Sequence, residues 1–394
     1  MKLQAQSSKA LNAALQKSMK CTNAKNSLAI LSHVLIQQRG KDQFFFTSST
    51  GDSQLTIPAP LTVVGGTFSK PIAVSPDLLS AFLSTLEDCT VTFDFADDGN
   101  ALTASYCTTV GEKVKEGKVS LTYEDGAEFP FMSELKEDAL HISLPMAAFA
   151  GVTATATNFT SKEELRPQMQ SLAIDVAEDL SDVVFVATNG HNLIKTVYSN
   201  DPKRGGGDFF RSGKAQLVML HSAYFRALSA FEDCETVEIE SDETKIRIST
   251  GDNELICKRI EGRYPNYNAV VPKSNPFYVS FNKKEMLAVL KRISLFGDTA
   301  SNLVVLKKDG MFLNVSAENV DFARGAEDQV VLLDAQCQEG FRVGLSSKSL
   351  GDCINAINAD TLRMQLSDPS RPAVLTADEP APASLAMCMP MIIE

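Results

Sequence analysis

The chain has 394 residues, 44% of them hydrophobic, and its 49 acidic against 37 basic side chains give a formal net charge of −12. That length fits two or three domains rather than one core. No apolar run approaches the roughly 18 residues a membrane helix needs, and Met1-Lys2-Leu3-Gln4 lacks a signal-peptide core, so a cytoplasmic protein is expected.

The first element in chain order is a helix, with Leu11, Ala14, Leu15 and Ser18 on one face and Lys9, Lys17 and Lys20 on the other. Residues 1–41 hold Lys2, Lys9, Lys17, Lys20, Lys25, Arg39 and Lys41 and no acid, which predicts a local basic surface on an acidic body. Strands are expected at Leu28–Ile36 and Phe44–Thr47 around Gly40. A second helix follows from Ser75-Pro76-Asp77, with Leu79, Phe82, Leu83 and Leu86 at helical spacing. Val91, Phe93 and Phe95, then Asp98-Gly99, then Leu102, Ala104 and Tyr106 read as a β-hairpin.

The plan restarts twice. Near Leu140 a weaker opening helix carries Met146, Phe149, Ala150 and Thr153, followed by strands at Leu172–Val176 and Val183–Ala187. Tyr224, Ala227, Leu228 and Phe231 then copy the second helix, and Glu-Asp-Cys follows both copies, at 87–89 and 232–234, before Val237, Ile239, Ile246 and Ile248. The third restart has Met286, Val289, Leu290 and Ile293 on one face and Lys284 and Lys291 on the other. Strands Leu303–Leu306 and Met311–Val315 flank Asp309-Gly310, and Leu350, Cys353, Ile354 and Ile357 precede the alternating Leu362, Met364 and Leu366. Phe129-Pro130, Tyr264-Pro265 and Met389-Pro390 close the units. The repeat therefore has the period of a domain. It predicts an α+β protein of three similar domains, 1–132, 133–273 and 274–394, each with two helices packed on antiparallel sheets.

Signs of catalysis are few. Gly207 to Ala215 resembles a phosphate loop but has the wrong glycine spacing and no Ser or Thr after Lys214. Residues 203–208, a basic pair before three glycines and Asp208, read as a surface loop. His33, His141, His191 and His221 are scattered, the first and second in strand patterns, and no metal-ligand spacing occurs. Eight widely spaced cysteines read as small buried hydrophobes in a reducing compartment. The repeated acidic pairs Glu87-Asp88 and Glu232-Asp233 suit a symmetric structural role. No catalytic residue, metal or cofactor is expected. The lysine-bearing helices suit phosphate contacts that read no sequence. The tail Ala386 to Ile393, with three methionines and almost no charge, fits either a core strand or an adaptable peptide groove.

The threefold plan, Ala187-Thr188-Asn189-Gly190-His191-Asn192-Leu193, Glu261-Gly262-Arg263-Tyr264-Pro265-Asn266-Tyr267 and the Met389-Pro390-Met391 ending together resemble the bacterial DNA polymerase III β subunit, the sliding-clamp family, along the whole chain. The resemblance implies a head-to-tail homodimeric ring around double-stranded DNA, held without sequence preference. It implies a non-enzymatic processivity factor that tethers the replicative polymerase, clamp loader and repair proteins through a short peptide motif, associated with the nucleoid during replication. Lys25 and Arg166 match basic positions of the family, joining Lys9, Lys17, Lys20, Lys284 and Lys291 as DNA-binding residues. The implied partner-peptide groove comprises Met169, Thr188, Gly190, His191, Leu193, Pro265, Val270, Met387, Met389, Pro390 and Met391. Leu295 and Phe296 are implied to meet an edge strand around Val119 at the dimer interface. The chain departs from the family at Asn189, Asn192, Ala269, Glu394 and His221-Ser222, several of them positions where the family carries charge. Two rival readings are an enzyme with its site split among domains and a clamp-like scaffold that binds no DNA.

Overall fold

The computed structural model describes the chain apart from residues 23–27, 41, 97–99, 111–112, 137–138, 177–181, 200–209, 214–215, 232, 320–321, 380–382 and 394. The expectations for Lys25, Asp98-Gly99, Glu232, the 203–208 loop and Glu394 thus lie outside the described residues. Contacts divide the chain into two compact units. One comprises Met1–Ala150, Phe210–Gly213 and Ala223–Arg259; the other comprises Gly151–Phe209, Lys214–Ser222 and Ile260–Glu394.

Hydrogen-bonded ladders explain the division. In the first unit, Asn253–Lys258 from the middle of the chain pairs antiparallel with the strand Ser53–Ala59, so repeat copies share a 14-stranded sheet among the described residues. In the second unit, Asn192–Ser199 pairs with Ser384–Cys388 within a 12-stranded sheet. The copies are joined by backbone hydrogen bonds as well as by chain.

Each unit has one strand that changes neighbours along its length. Lys113–Asp125 pairs first with Ala101–Val110 and then, from Tyr123, with Ile72–Val74. In the second unit Arg324–Gln336 pairs with Phe312–Asn319 and then, from Leu332, with Phe277–Asn282. The first part of each strand therefore leaves one edge without a ladder among the described residues.

Helices cover the sheets where the apolar spacing places them. In the first unit, α1 (Ser8–Ser18) starts at Ser7, whose hydroxyl accepts from the Ala10 amide at 3.1 Å, and buries Leu11 and Leu15. Helix α2 (Pro76–Ser84) begins on Pro76 and buries Leu79 and Leu83, and Ser80 donates to Asn12 of α1 at 2.8 Å. These side chains join Phe46, Phe93 and Leu102 in one core. Helix α3 (Met146–Ala156) follows the strand Leu140–Pro145 and buries Phe149. Later in the chain come α4 (Phe225–Leu228) and α5 (Tyr267–Val270), each a single turn. In the second unit, α6 (Lys283–Ile293) is capped by Asn282, which accepts from the Lys284 and Glu285 amides, and buries Met286, Val289, Leu290 and Ile293. Helix α7 (Ser347–Ala356) is capped by Ser346 and buries Leu350, Cys353 and Ile354.

Three expectations need correction. Leu28–Ile36 is not one strand: Ala29–Ser32 form a 3-10 turn, and the strand is Val34–Arg39. His33 therefore precedes the strand, its ring Nδ1 3.3 Å from the Ala29 carbonyl. The copy around Tyr224 to Phe231 is a 3-10 turn, Ser222–Tyr224, followed by α4, with Ala230 bonding to Ala227 and Phe231 to Leu228. Spacing of three residues serves a 3-10 turn as well as a helix, so Leu228 and Phe231 stay buried either way. Cys107, unlike Cys21, Cys257, Cys353 and Cys388, is exposed.

Candidate functional site

The second unit gathers four uncharged segments. The core beneath them contains Leu193, Met387, Tyr264, Tyr267 and Val374, with Leu193 opposite Met387 across neighbouring strands. The turn 188–192 stands over this ladder. The Thr188 hydroxyl donates to the Asn192 carbonyl at 2.7 Å, and Asn189 Oδ1 accepts from the amides of His191 and Asn192 at 2.9 and 2.8 Å. Gly190 closes the turn at φ +88°, with Met169 Sδ 3.9 Å from where a Cβ would lie. The Met389 amide bonds to the His191 carbonyl at 2.9 Å, which ties the tail to the turn.

A third wall is fixed by its aromatics. The Tyr264 hydroxyl donates to the Val186 carbonyl at 3.2 Å, and the Tyr267 hydroxyl donates to Asp175 Oδ2 at 2.6 Å. Lys195 Nζ sits 5.4 Å from the Tyr267 ring centre and donates to Asn268 at 3.3 Å. Burial and then the Asp175 bond raise the Tyr267 hydroxyl well above the ordinary phenol range. Gln168 reaches the Glu261 carbonyl at 3.4 Å, bringing the Met169 segment to the same strand of chain.

The structure thus brings together Met169, Thr188, Gly190, His191, Leu193, Met387 and Met389, with Pro265 and Val270 on the aromatic wall. Thr188, Leu193 and Met387 form a buried floor, whereas Val270 and Met389 are 49% and 37% exposed. Beyond Pro390, Met391 donates to the Gly344 carbonyl at 2.8 Å, so the tail end lies along the strand Arg342–Ser346. The tail divides by position: Ser384–Cys388 is sheet, and Met389, just beyond it, is 37% exposed.

The lysines are less uniform than their sequence neighbourhood suggests. Lys9 is exposed, but Lys17 Nζ meets Asp233 Oδ2 at 2.6 Å and Lys20 Nζ donates to Ser229 Oγ at 2.6 Å. The Lys17 bond holds the Asp233 carboxyl below its ordinary range. The face of α1 that lacks acids in sequence therefore acquires one in space. On α6, Lys284 and Lys291 are both exposed and lie on one side, while Arg292 turns to Asp328 at 2.6 Å. Arg166 is exposed at the start of the turn Pro167–Gln170.

No group of three or more metal-ligating side chains occurs among the described residues. Ser143 and His141 each bond to Glu238 at 2.6 Å, so the carboxylate stands between nucleophile-type and base-type groups. Among the described residues no helix is long and apolar enough to cross a membrane.

The family model for the DNA polymerase III beta subunit, C-terminal domain, matches residues 268–392. A beta sliding clamp of Synechocystis is 24% identical over 317 residues, covering 78% of this chain and 79% of that protein. One from Caulobacter vibrioides is 22% identical over 380 residues, 93% of each. The crystal structure of the Streptococcus pyogenes beta subunit superposes with a TM-score of 0.85 at 18% identity, covering 100% of both chains. Residues 268–392 belong to the DNA polymerase III beta-subunit family, and over its length the chain is similar to the sliding clamps. Members of this family are processivity factors and catalyse no reaction themselves.

The positions implied by the clamp family for a dimer interface are on the surface of their own units. Leu295 and Phe296, just after α6, are 74% and 46% exposed, and Val119 is half-buried on Lys113–Asp125, opposite Ala104. Sequence reasoning missed the supports behind the groove, Asp175, Tyr267, Lys195 and Gln168. Only the spacing of Tyr264 and Tyr267, three residues apart with Tyr267 opening the one-turn helix α5, hinted at a shared inward face.

Proposed function

We propose that two copies of the chain close head to tail into a ring around duplex DNA and tether the replicative polymerase, clamp loader and repair proteins for processive synthesis. The reading rests on one observation above others, the correspondence of fold with a sliding clamp along the entire chain. Three repeat domains, 1–132, 133–273 and 274–394, would supply each half of the ring. Lys9, Lys17, Lys20, Lys25, Arg166, Lys284 and Lys291 would meet phosphates, giving an affinity that falls with salt and ignores base sequence. The free edges of Lys113–Asp125 and Arg324–Gln336, with Val119, Leu295 and Phe296, suit a sheet continued between subunits. Partners would insert a short apolar motif between Val270, Met389 and Met391 and the floor of Thr188, Leu193 and Met387, while Pro265, Gly190, His191, Met169 and Pro390 shape the rim. Such a protein works in the cytoplasm, on the nucleoid.

The test is charge reversal of Lys17, Lys20 and Lys284 together. Primer extension with the cognate polymerase and loader is expected to lose processivity while the dimer persists in gel filtration. Unchanged processivity would favour a scaffold that binds proteins but not DNA.

A further inference from the structure

We propose that Cys353 and Cys388 form a redox latch, in which a hydroperoxide joins the two sulfurs and fastens the last strand of the second unit to helix α7. Side chains alternate along Ser384–Cys388, so Ala386 and Cys388 share the side that α7 covers, while Met387 joins the opposite core with Leu193 and Val374. Cys353 lies in the buried stripe of α7 with Leu350 and Ile354. Its thiol donates to the Met387 carbonyl at 3.6 Å, the peptide unit that carries the Cys388 nitrogen. Both cysteines are fully buried.

A disulfide needs Cα atoms within about 7 Å of each other, and the 3.6 Å contact brings the Cys353 sulfur to the backbone of Cys388 itself. The Cys388 sulfur beside it, and then burial, hold the Cys353 thiol well above its ordinary value, which favours Cys388 as the first sulfur to react. Access favours the same residue. Cys388 ends its strand next to exposed Met389, and two backbone bonds hold the cover in place: the Met389 amide to the His191 carbonyl at 2.9 Å, and the Met391 amide to the Gly344 carbonyl at 2.8 Å. Opening these bonds uncovers Cys388 and leaves the ladders of the sheet intact.

With hydrogen peroxide as the oxidant, Cys388 Sγ attacks one oxygen and breaks the O–O bond. The sulfur becomes a sulfenic acid, and the other oxygen takes the thiol proton and leaves as water. Cys353 Sγ then displaces the sulfenic hydroxyl, which takes the Cys353 proton and leaves as a second water. The two thiols lose two electrons in all, and the peroxide gains them. A thiol reductant reverses the bond, which is the transient kind that a reducing compartment permits. While it lasts, the strand and the tail beyond it cannot open away from α7.

The experiment treats the full-length protein with hydrogen peroxide until exposed Cys107 has reacted, then maps an unreduced digest by mass spectrometry and measures amide hydrogen exchange. The expected result is a peptide linked through Cys353 and Cys388 in protein whose circular dichroism is unchanged. Exchange in residues 384–388 should slow about tenfold, and a thiol reductant should reverse both changes. In Cys353→Ala the same treatment should leave exchange in that strand as it was; slowing there too would trace the effect to another oxidised side chain and overturn the latch. So would the lack of a linked peptide once Cys107 has reacted, a linked peptide confined to protein that has lost its circular dichroism, or a linked peptide with exchange unchanged. Should Cys353→Ala fail to fold, mapping and exchange of the parent protein decide alone.

Discussion

At the scale of single residues, the Tyr267 hydroxyl carries a consequence that can be measured in two ways. It is buried in the wall core and bonded to Asp175, and both effects hold its proton. A raised folded-state pKa stabilises the fold below the unfolded phenol value of about 10 and loses that contribution as pH rises above it. Tyr267→Phe should therefore flatten the alkaline fall in Tm above about pH 10, and at neutral pH cost about 1 kcal/mol for the lost hydrogen bond. An alkaline limb identical to that of the parent protein would mean that Tyr267 titrates normally. The Lys17–Asp233 pair leads to a second expectation. Asp233 is mostly exposed, so the pair adds little to stability, but under the proposed DNA contact it would compete with phosphate for Lys17. Asp233→Asn should raise DNA affinity several-fold at low salt, and the gain should vanish in a Lys17→Ala background. Equal gains in both backgrounds would reduce the effect to general charge.

At the scale of elements, apolar stripes made the full helices legible, whereas of their starts only Ser75-Pro76 was read. Ser7, Ser75-Pro76, Asn282 and Ser346 stand where α1, α2, α6 and α7 begin, and the inward residues are those the spacing selects. The 3-10 turns at Ala29–Ser32 and Ser222–Tyr224 were not legible, because a three-residue period fits two geometries. Pairing between distant segments was equally hidden. Lys17 and Asp233 are 216 positions apart, and no local pattern links Asp175 to Tyr267. The proposed groove was legible only through the family resemblance; composition of the tail did not distinguish buried Met387, inside the strand Ser384–Cys388, from exposed Met389 just beyond it. Gly262 tests how firmly the wall is held. It adopts φ +108°, and a Cβ there would lie 2.7 Å from Gln168 Nε2. Gly262→Ala should cost about 1–3 kcal/mol and lower the melting temperature, together with peptide affinity. Unchanged values of both would show the wall able to relax around a side chain.

At the scale of the whole molecule, one fold plan used three times gives a chain with strand edges that carry no ladder among the described residues and with Leu295 and Phe296 exposed, the surfaces the proposed dimer would join. Leu295→Asp with Phe296→Asp should leave each subunit folded by circular dichroism and convert dimers to monomers in analytical ultracentrifugation. A variant that remains dimeric would place the interface elsewhere. The measurement that bears most directly on the clamp account is negative-stain electron microscopy of the purified protein. Closed rings of two chains around an open centre are the expected result. Compact particles, or extended single chains at concentrations where the protein supports processive synthesis, would contradict it.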